Sequence, residues 1–174
     1  MATITLRPNG NSSVVFTPSA GTNWENVDET SSDGDTTYNS HSGGVNVVDV
    51  FTIESNSLIA GDTITNVSVY VTSRATSAGR LITASINTRI NENSVSTNGS
   101  SNNNGTTYAE YSTSYNNRPS DSASWTNTDI TNLLIGYNGG VQSTNLRVTQ
   151  VYVVVTYTPA AGGSSASSLL LAGD

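Results

Sequence analysis

The chain has no cysteine and no lysine among its 174 residues, and only 11% of them are charged. Without cysteine, disulfides, thiolate zinc sites and cysteine nucleophiles are excluded. Thirteen acidic residues against six basic ones give a net charge of -7. Because nucleic acids and anionic membranes are themselves negative, an acidic chain without lysine is a poor partner for either.

Long hydrophobic runs are also missing. No stretch of about 18 apolar residues occurs, so the sequence predicts no membrane-spanning helix. The first residues lack both a basic and an apolar segment, which predicts no secretory signal peptide. The length fits one domain, which we place at residues 1–158, followed by a Gly/Ser-rich arm at 159–174.

The strongest structural signal is Arg147–Tyr157, which consists almost entirely of β-branched and aromatic residues. Side chains alternate along a strand, so Val151, Val153, Val155 and Tyr157 share one face, while Gln150, Tyr152, Val154 and Thr156 share the other. The first set is predicted to face the core. The second is unusually apolar for a solvent-exposed face, which indicates either a central strand covered on both sides or a strand whose outer face meets another subunit.

Six further segments have strand character. They are Thr3–Leu6, Ser13–Phe16, Val45–Glu54, Thr63–Ser73, Gly79–Ile90 and Thr106–Tyr115. Between them, Gly21–Gly44 is predicted to be a long loop pinned by Trp24, Val27 and Tyr38, and Asn91–Gly105 a surface loop or irregular hairpin.

The only helical signal begins near Trp125. Three residues are candidate N-caps: Ser124, Thr126 and Thr128. Asp129 then falls in the first turn, and Ile130, Leu133 and Leu134 form an apolar stripe that Gly136 or Gly139 can end. Short strands with one short helix predict an all-β fold: an antiparallel two-sheet sandwich, jelly-roll-like, with an extended C-terminal arm.

Four segments together resemble a group of small virion proteins encoded by tailed phages and prophages. They are Trp24–Glu29 with Asp35–Tyr38, Tyr108 with Tyr111, Trp125 with Asp129-Ile130, and Arg147–Val153. The resemblance spans about residues 3 to 158 and implies a β-sandwich virion component, such as a head decoration protein or a tail-associated module. It implies no active site. The group often carries an acidic residue where this chain has Val154, which favours an outer face buried in an assembly.

From these observations we expect a non-enzymatic capsid decoration protein, assembled in the host cytoplasm and located in the virion. Its expected partners are copies of itself, as a homo-oligomer such as a trimer, and the major capsid protein or other virion proteins. Neither nucleic acid nor membrane is expected as a partner. The predicted interface consists of Tyr152 and Val154 together with Leu169, Leu170 and Leu171 of the arm.

The arm joins a flexible Gly/Ser-rich linker to these three leucines. Ordering about a dozen such residues costs roughly 12–24 kcal/mol, whereas burying three leucines returns roughly 5–9 kcal/mol. An ordered arm therefore needs additional main-chain pairing or a continuous groove, either of which an adjacent protomer can supply. The alternative is an arm that folds back on its own domain.

Catalytic and metal chemistry has little support. His41 is the only histidine, and no Gly-x-Ser-x-Gly motif accompanies it, so we interpret it as a solvated loop residue. Asp28, Glu29, Asp33 and Asp35 form the densest acidic cluster. A carboxylate pair there could serve a hydrolase, and Asp28, Asp33 and Asp35 could bind Ca²⁺, although the favoured interpretation is turn-forming aspartates with no cofactor.

Aromatic residues leave one further alternative open. Tyr108, Tyr111 and Trp125, with Tyr115 and Tyr137, could form a sugar-stacking platform. The chain would then be a glycan- or receptor-binding module on a phage tail or fibre. The competing interpretation is that these rings fill the sandwich edge or a subunit interface. A subunit of an extracellular filament is the last alternative.

Overall fold

The computed structural model describes residues 1–43, 46–77, 83–142 and 145–161. In this part of the chain, two six-stranded antiparallel sheets pack face to face. Sheet A contains β1 (Ala2–Leu6), β3 (Thr17–Pro18), β4 (Asn39–His41), β6 (Thr63–Ala75), β10 (Ala109–Tyr115) and β12 (Leu146–Thr158). Sheet B contains β2 (Pro8–Ser13), β5 (Val47–Ile53), β7 (Thr83–Glu92), β8 (Val95–Asn98), β9 (Asn102–Asn103) and β11 (Leu134–Gln142).

The strand order confirms the predicted sandwich. Sheet A runs β10-β6-β12-β4-β3, with β1 also paired to β12, and sheet B runs β2-β5-β11-β7-β8. Successive main strands alternate between the sheets in the manner of two Greek keys, which is the jelly-roll arrangement. Within the described ranges, no helix has the length and apolarity needed to cross a membrane.

The core lies between β12 and β6 of sheet A and β5, β7 and β11 of sheet B. Val151, Val153 and Val155 are fully buried, as the alternation along β12 predicts. Val67, Val69 and Val71 of β6 complete this layer. β12 is therefore a central strand whose inner face is wholly apolar.

The helix α1 (Asn127–Thr131) is shorter than predicted. Thr126, one of the three candidates, is the N-cap, and it forms a capping box with Asp129. Leu134 does not extend the apolar stripe, because β11 begins there. This strand was not predicted, because its glycines are untypical of a strand. Gly136 is nevertheless required in it, because a Cβ there would overlap the Asp49 carbonyl oxygen on β5.

The predicted strand Ser13–Phe16 is wrong. The backbone N–H groups of Val15 and Phe16 donate to the Asp49 carboxylate, at 2.6 and 3.0 Å, instead of to a neighbouring strand. The strand lies earlier, at Pro8–Ser13. A proline is tolerated there because β2 is an edge strand.

The long loop is held as predicted by Val27, which is fully buried and whose carbonyl accepts a 2.8 Å hydrogen bond from Val151 N–H. His41 is not in a solvated loop. It lies in β4, opposite Leu146, and its ring is 5.3 Å from that of Phe16. At the other end of the domain, Ala160 N–H donates to Asp62, and the predicted arm beyond residue 161 lies outside the described residues.

Candidate binding face on sheet A

Two tyrosines stack at the centre of the outer side of sheet A. Tyr70 on β6 and Tyr152 on β12 are register partners. Each lies between valines that are buried in the core, so both rings point outward. Their ring centroids are 4.6 Å apart and the ring planes differ by 3°. Both side chains are half-buried, and the pair forms an ordered aromatic platform.

Glu110 fixes one of these rings. It lies on the edge strand β10, and its Oε2 accepts a 2.8 Å hydrogen bond from the Tyr152 hydroxyl. Desolvation, and then this hydrogen bond, raise the pKa of Tyr152. The hydroxyl therefore stays protonated and keeps donating at neutral pH.

Apart from Glu110 on the edge strand, the residues around the tyrosines are uncharged. Ser68 and Ser114 share a 2.7 Å hydrogen bond across β6 and β10, and Val154 lies beside Ser68 in the register. We call this surface the tyrosine face. It comprises Thr3, Thr5, Asn66, Ser68, Tyr70, Ser112, Ser114, Tyr152, Val154 and Thr156.

At the opposite end of sheet A, three side chains form hydrogen bonds with Asp35, and we call this cluster the Asp35 latch. The Asp35 carboxylate accepts hydrogen bonds from Arg74 at 2.6 Å, Arg147 at 2.9 Å and Tyr108 at 2.8 Å. Desolvation acts to raise the pKa of Asp35, but these three hydrogen bonds outweigh it and lower the pKa to about 2. The Arg147 guanidinium also lies 4.1 Å from the centre of the Tyr38 ring.

The long loop that carries Asp35 is also bonded to β12, at a bulge between Val148 and Gln150. The hydroxyl of the buried Thr149 donates to Asp33 at 2.9 Å, and Gln150 Nε2 donates to the Glu29 carbonyl at 2.8 Å. The loop is thereby attached to sheet A at several points besides the latch.

The structure does not bring the predicted calcium ligands together. Asp35 is engaged by two arginines, and Asp33 accepts from Thr149 and Thr37. Among the residues described, no three acidic or histidine side chains lie close enough to share a metal ion. Desolvation raises the pKa of Asp28.

The predicted sugar platform is likewise dispersed. Tyr108 belongs to the latch. Tyr111 faces the sandwich interior, and its hydroxyl donates to the Asn103 carbonyl at 3.1 Å. Trp125 is 4% exposed, with its indole N–H donating to the Tyr115 carbonyl. These three rings therefore do not share one surface, whereas Tyr70 and Tyr152 do.

Of the predicted interface residues, Tyr152 and Val154 lie on the tyrosine face and are half-buried. Leu169, Leu170 and Leu171 lie outside the described residues. Tyr70 and Glu110 were not among the residues predicted from the sequence. The alternation of Val67, Val69 and Val71 places Tyr70 outward, but only the register between β6, β10 and β12 puts it beside Tyr152 and Glu110.

No protein-family model matches the chain, and no curated protein matches it. Among solved structures, the chain is similar to one described as "CBM4 structure and function", with 13% identity over 70% of this chain and 76% of that one and a TM-score of 0.34. It is also similar to one described as "Structure of infectious bursal disease virus Gt strain", with 13% identity, a TM-score of 0.33, and coverage of 92% of this chain but 38% of that one. At such TM-scores neither likeness bears on function.

Proposed function

We propose that this chain is a non-enzymatic structural protein of a tailed-phage particle, a head decoration protein that docks on neighbouring shell subunits through the tyrosine face. The observation that carries the proposal is the stacked, half-buried pair Tyr70 and Tyr152, on a surface where Glu110 lies at the edge and accepts a hydrogen bond from Tyr152. The buried centres of protein interfaces are enriched in tyrosine and depleted in charge. The sequence resemblance to small phage virion proteins points the same way.

The platform is suited to binding because it is already ordered. Tyr152 is fixed by both Tyr70 and Glu110, so little side-chain freedom remains to be lost when a partner docks. The chain also carries a net charge of -7. A patch with few charges lets acidic copies approach one another with less repulsion than their other surfaces would allow.

The tyrosine face is too small to act alone. Four strands about 4.8 Å apart and about five residues long give a patch on the order of 15 Å on each side, whereas a stable interface buries about 800 Å² per partner. We assign the missing area to the predicted arm at 159–174, with Leu169, Leu170 and Leu171 docking on an adjacent protomer or the shell.

The test is co-sedimentation of the purified chain with emptied heads of the phage that encodes it. Val154→Asp places a charge in the tyrosine face and is expected to abolish binding. Val95→Asp is the matched control, because Val95 is 41% exposed on β8 of the other sheet, and it is expected to bind like the native chain. Truncation after residue 158 is expected to weaken binding.

The proposal fails if the native chain does not bind heads, or if Val154→Asp binds as tightly as native. Circular dichroism and thermal melting of each variant separate lost binding from lost folding. Sedimentation of the free chain gives its oligomeric state, for which we expect a closed homo-oligomer such as a trimer. Open polymerisation of the free chain would instead favour a filament subunit.

A further inference from the structure

The outer side of sheet B differs in character from the tyrosine face. Along β7, the buried residues Ala84, Ile86 and Ile90 alternate with outward polar ones. With their neighbours on β8 and β11 we call these outward residues the asparagine face. It comprises Ser85, Asn87, Arg89, Asn91, Asn98 and Asn138.

Arg89 carries an uncompensated charge on this face. Arg74 and Arg147 pair with Asp35, and Arg118 pairs with Asp121 and Asp129, whereas no ion pair involves Arg89 within the part of the chain that is described. Its Nη1 donates to the Asn98 amide oxygen at 2.8 Å, but its buried Nε has no hydrogen-bond partner. Desolvation lowers the pKa of Arg89. An anion bound here would offset the cost of this half-buried cation.

The register partners of Arg89 on the neighbouring strands are uncharged. Gly136 is its register partner on β11, so no side chain stands opposite the guanidinium. Asn91 lies two residues along β7, and Asn138 lies diagonally across on β11. The amide oxygens of both have no hydrogen-bond partner, although buried polar groups are normally paired.

We propose that the asparagine face binds an acidic saccharide, whose carboxylate pairs with Arg89 and whose hydroxyls bond to the surrounding asparagine amides. An arginine fork matches a carboxylate in two-point geometry. Amides both donate and accept, as sugar hydroxyls do. Apolar residues are also present on this side of the sheet, since Leu134 is the register partner of Asn91 and Val48 that of Asn138. The asparagine amides outnumber them, and none of these residues is an aromatic anchor of the kind that protein interfaces use, so a polysaccharide fits the face better than a protein does.

The test is titration of the full chain with trigalacturonic acid, followed by calorimetry or by NMR shifts of the asparagine face. The methyl-esterified trisaccharide is the control ligand, because it keeps the hydroxyls and loses the charges. We expect the acid to bind at least about tenfold more tightly than the ester. Arg89→Gln is expected to remove that preference, and Asn138→Ala to weaken the binding of the acid while retaining the preference.

Arg7→Gln is the matched control variant, because Arg7 lies between β1 and the edge strand β2, which is separated from β7 by two strands, and its Nε bonds to the Glu29 carbonyl. It should bind the acid like the native chain. The proposal is overturned if the acid does not bind, if acid and ester bind equally, or if Arg89→Gln changes neither. Equal affinity for triglutamate would assign the site to a protein carboxylate and overturn the saccharide. Because the tyrosine face is untouched, none of these outcomes decides the decoration proposal.

Discussion

The Tyr137 hydroxyl donates a 2.8 Å hydrogen bond to the Asp49 carboxylate, although both residues are fully buried. The same carboxylate accepts from the backbone of Val15 and Phe16 and from Asn23. Asn39 bonds in turn to the Tyr137 hydroxyl at 3.1 Å. This buried network attaches the segment after β2 to the centre of sheet B.

Tyr137→Phe is therefore expected to destabilise the chain by about 1–3 kcal/mol, because it removes a donor from a buried carboxylate. Chemical denaturation monitored by fluorescence measures the loss. Tyr70→Phe is the control, because Tyr70 lies on the outer side of sheet A, and its cost should stay within about 0.5 kcal/mol. Equal losses in the two variants would contradict a special role for the buried network.

Gly136→Ala should be strongly destabilising, by about 1–3 kcal/mol or more, since its Cβ would overlap the Asp49 carbonyl on the neighbouring strand. Gly105→Ala makes the same chemical change where no atom lies within 4 Å of the new Cβ, and it should be close to neutral. Thermal melting compares the two. A Gly136→Ala variant as stable as Gly105→Ala would show that β5 and β11 do not approach so closely.

The two glycine environments show what could be predicted from sequence and what could not. Alternation along β12 correctly predicts its buried valines, because side-chain period is a local property. β11 was not predicted because Gly136, Gly139 and Gly140 resemble a turn. The need for Gly136 comes from β5, a strand far away in sequence. β2 was also not predicted. Its Pro8 is acceptable only at the edge of a sheet, and the position of a strand within its sheet cannot be read from local sequence.

The tyrosine face shows the same limit. Tyr152 and Val154 could be predicted as outward residues from one strand alone. Tyr70 becomes their neighbour only through the register of β6 with β12, which depends on pairings across some 80 residues of sequence. The predicted sugar-stacking platform is not formed, because Trp125 is part of the hydrophobic core and Tyr111 packs against it.

Tyr70 and Tyr152 should stabilise each other. In a double-mutant cycle with Tyr70→Ala and Tyr152→Ala, stacked rings predict a coupling of about 0.5–1.5 kcal/mol in the free energy of unfolding. Urea denaturation of the four proteins provides the measurement. Strictly additive losses would mean that the rings do not stack in solution.

The Asp35 latch predicts acid sensitivity. Its pKa is lowered from 3.8 to about 2 in the folded chain, so its contribution to stability is complete above 3.8 and is lost as the pH falls toward about 2. Asp35→Asn should flatten that part of the pH profile of the melting temperature. Asp121→Asn, which alters an acidic partner of Arg118 instead, should retain it. An unchanged profile in Asp35→Asn would refute the latch.

Only one of the three candidate N-cap residues caps α1. Thr126→Ala removes the N-cap and should cost about 1 kcal/mol, whereas Ser124→Ala and Thr128→Ala, at exposed positions that do not cap the helix, should cost little. Thermal melts distinguish the three. A larger loss at Thr128 would place the helix start two residues later.

The pairing of β1 with β12 governs how the domain would respond to force. Ala2 and Tyr157 are register partners in an antiparallel pair, so the chain enters and leaves the sandwich at the same end. A pull applied through these two points would peel β1 away one backbone pair after another, because the load falls on each hydrogen bond in turn. Many hydrogen bonds can share the load only if the force is applied through a face of the sheet. The domain would therefore resist force better when anchored through a face than when tethered by its ends.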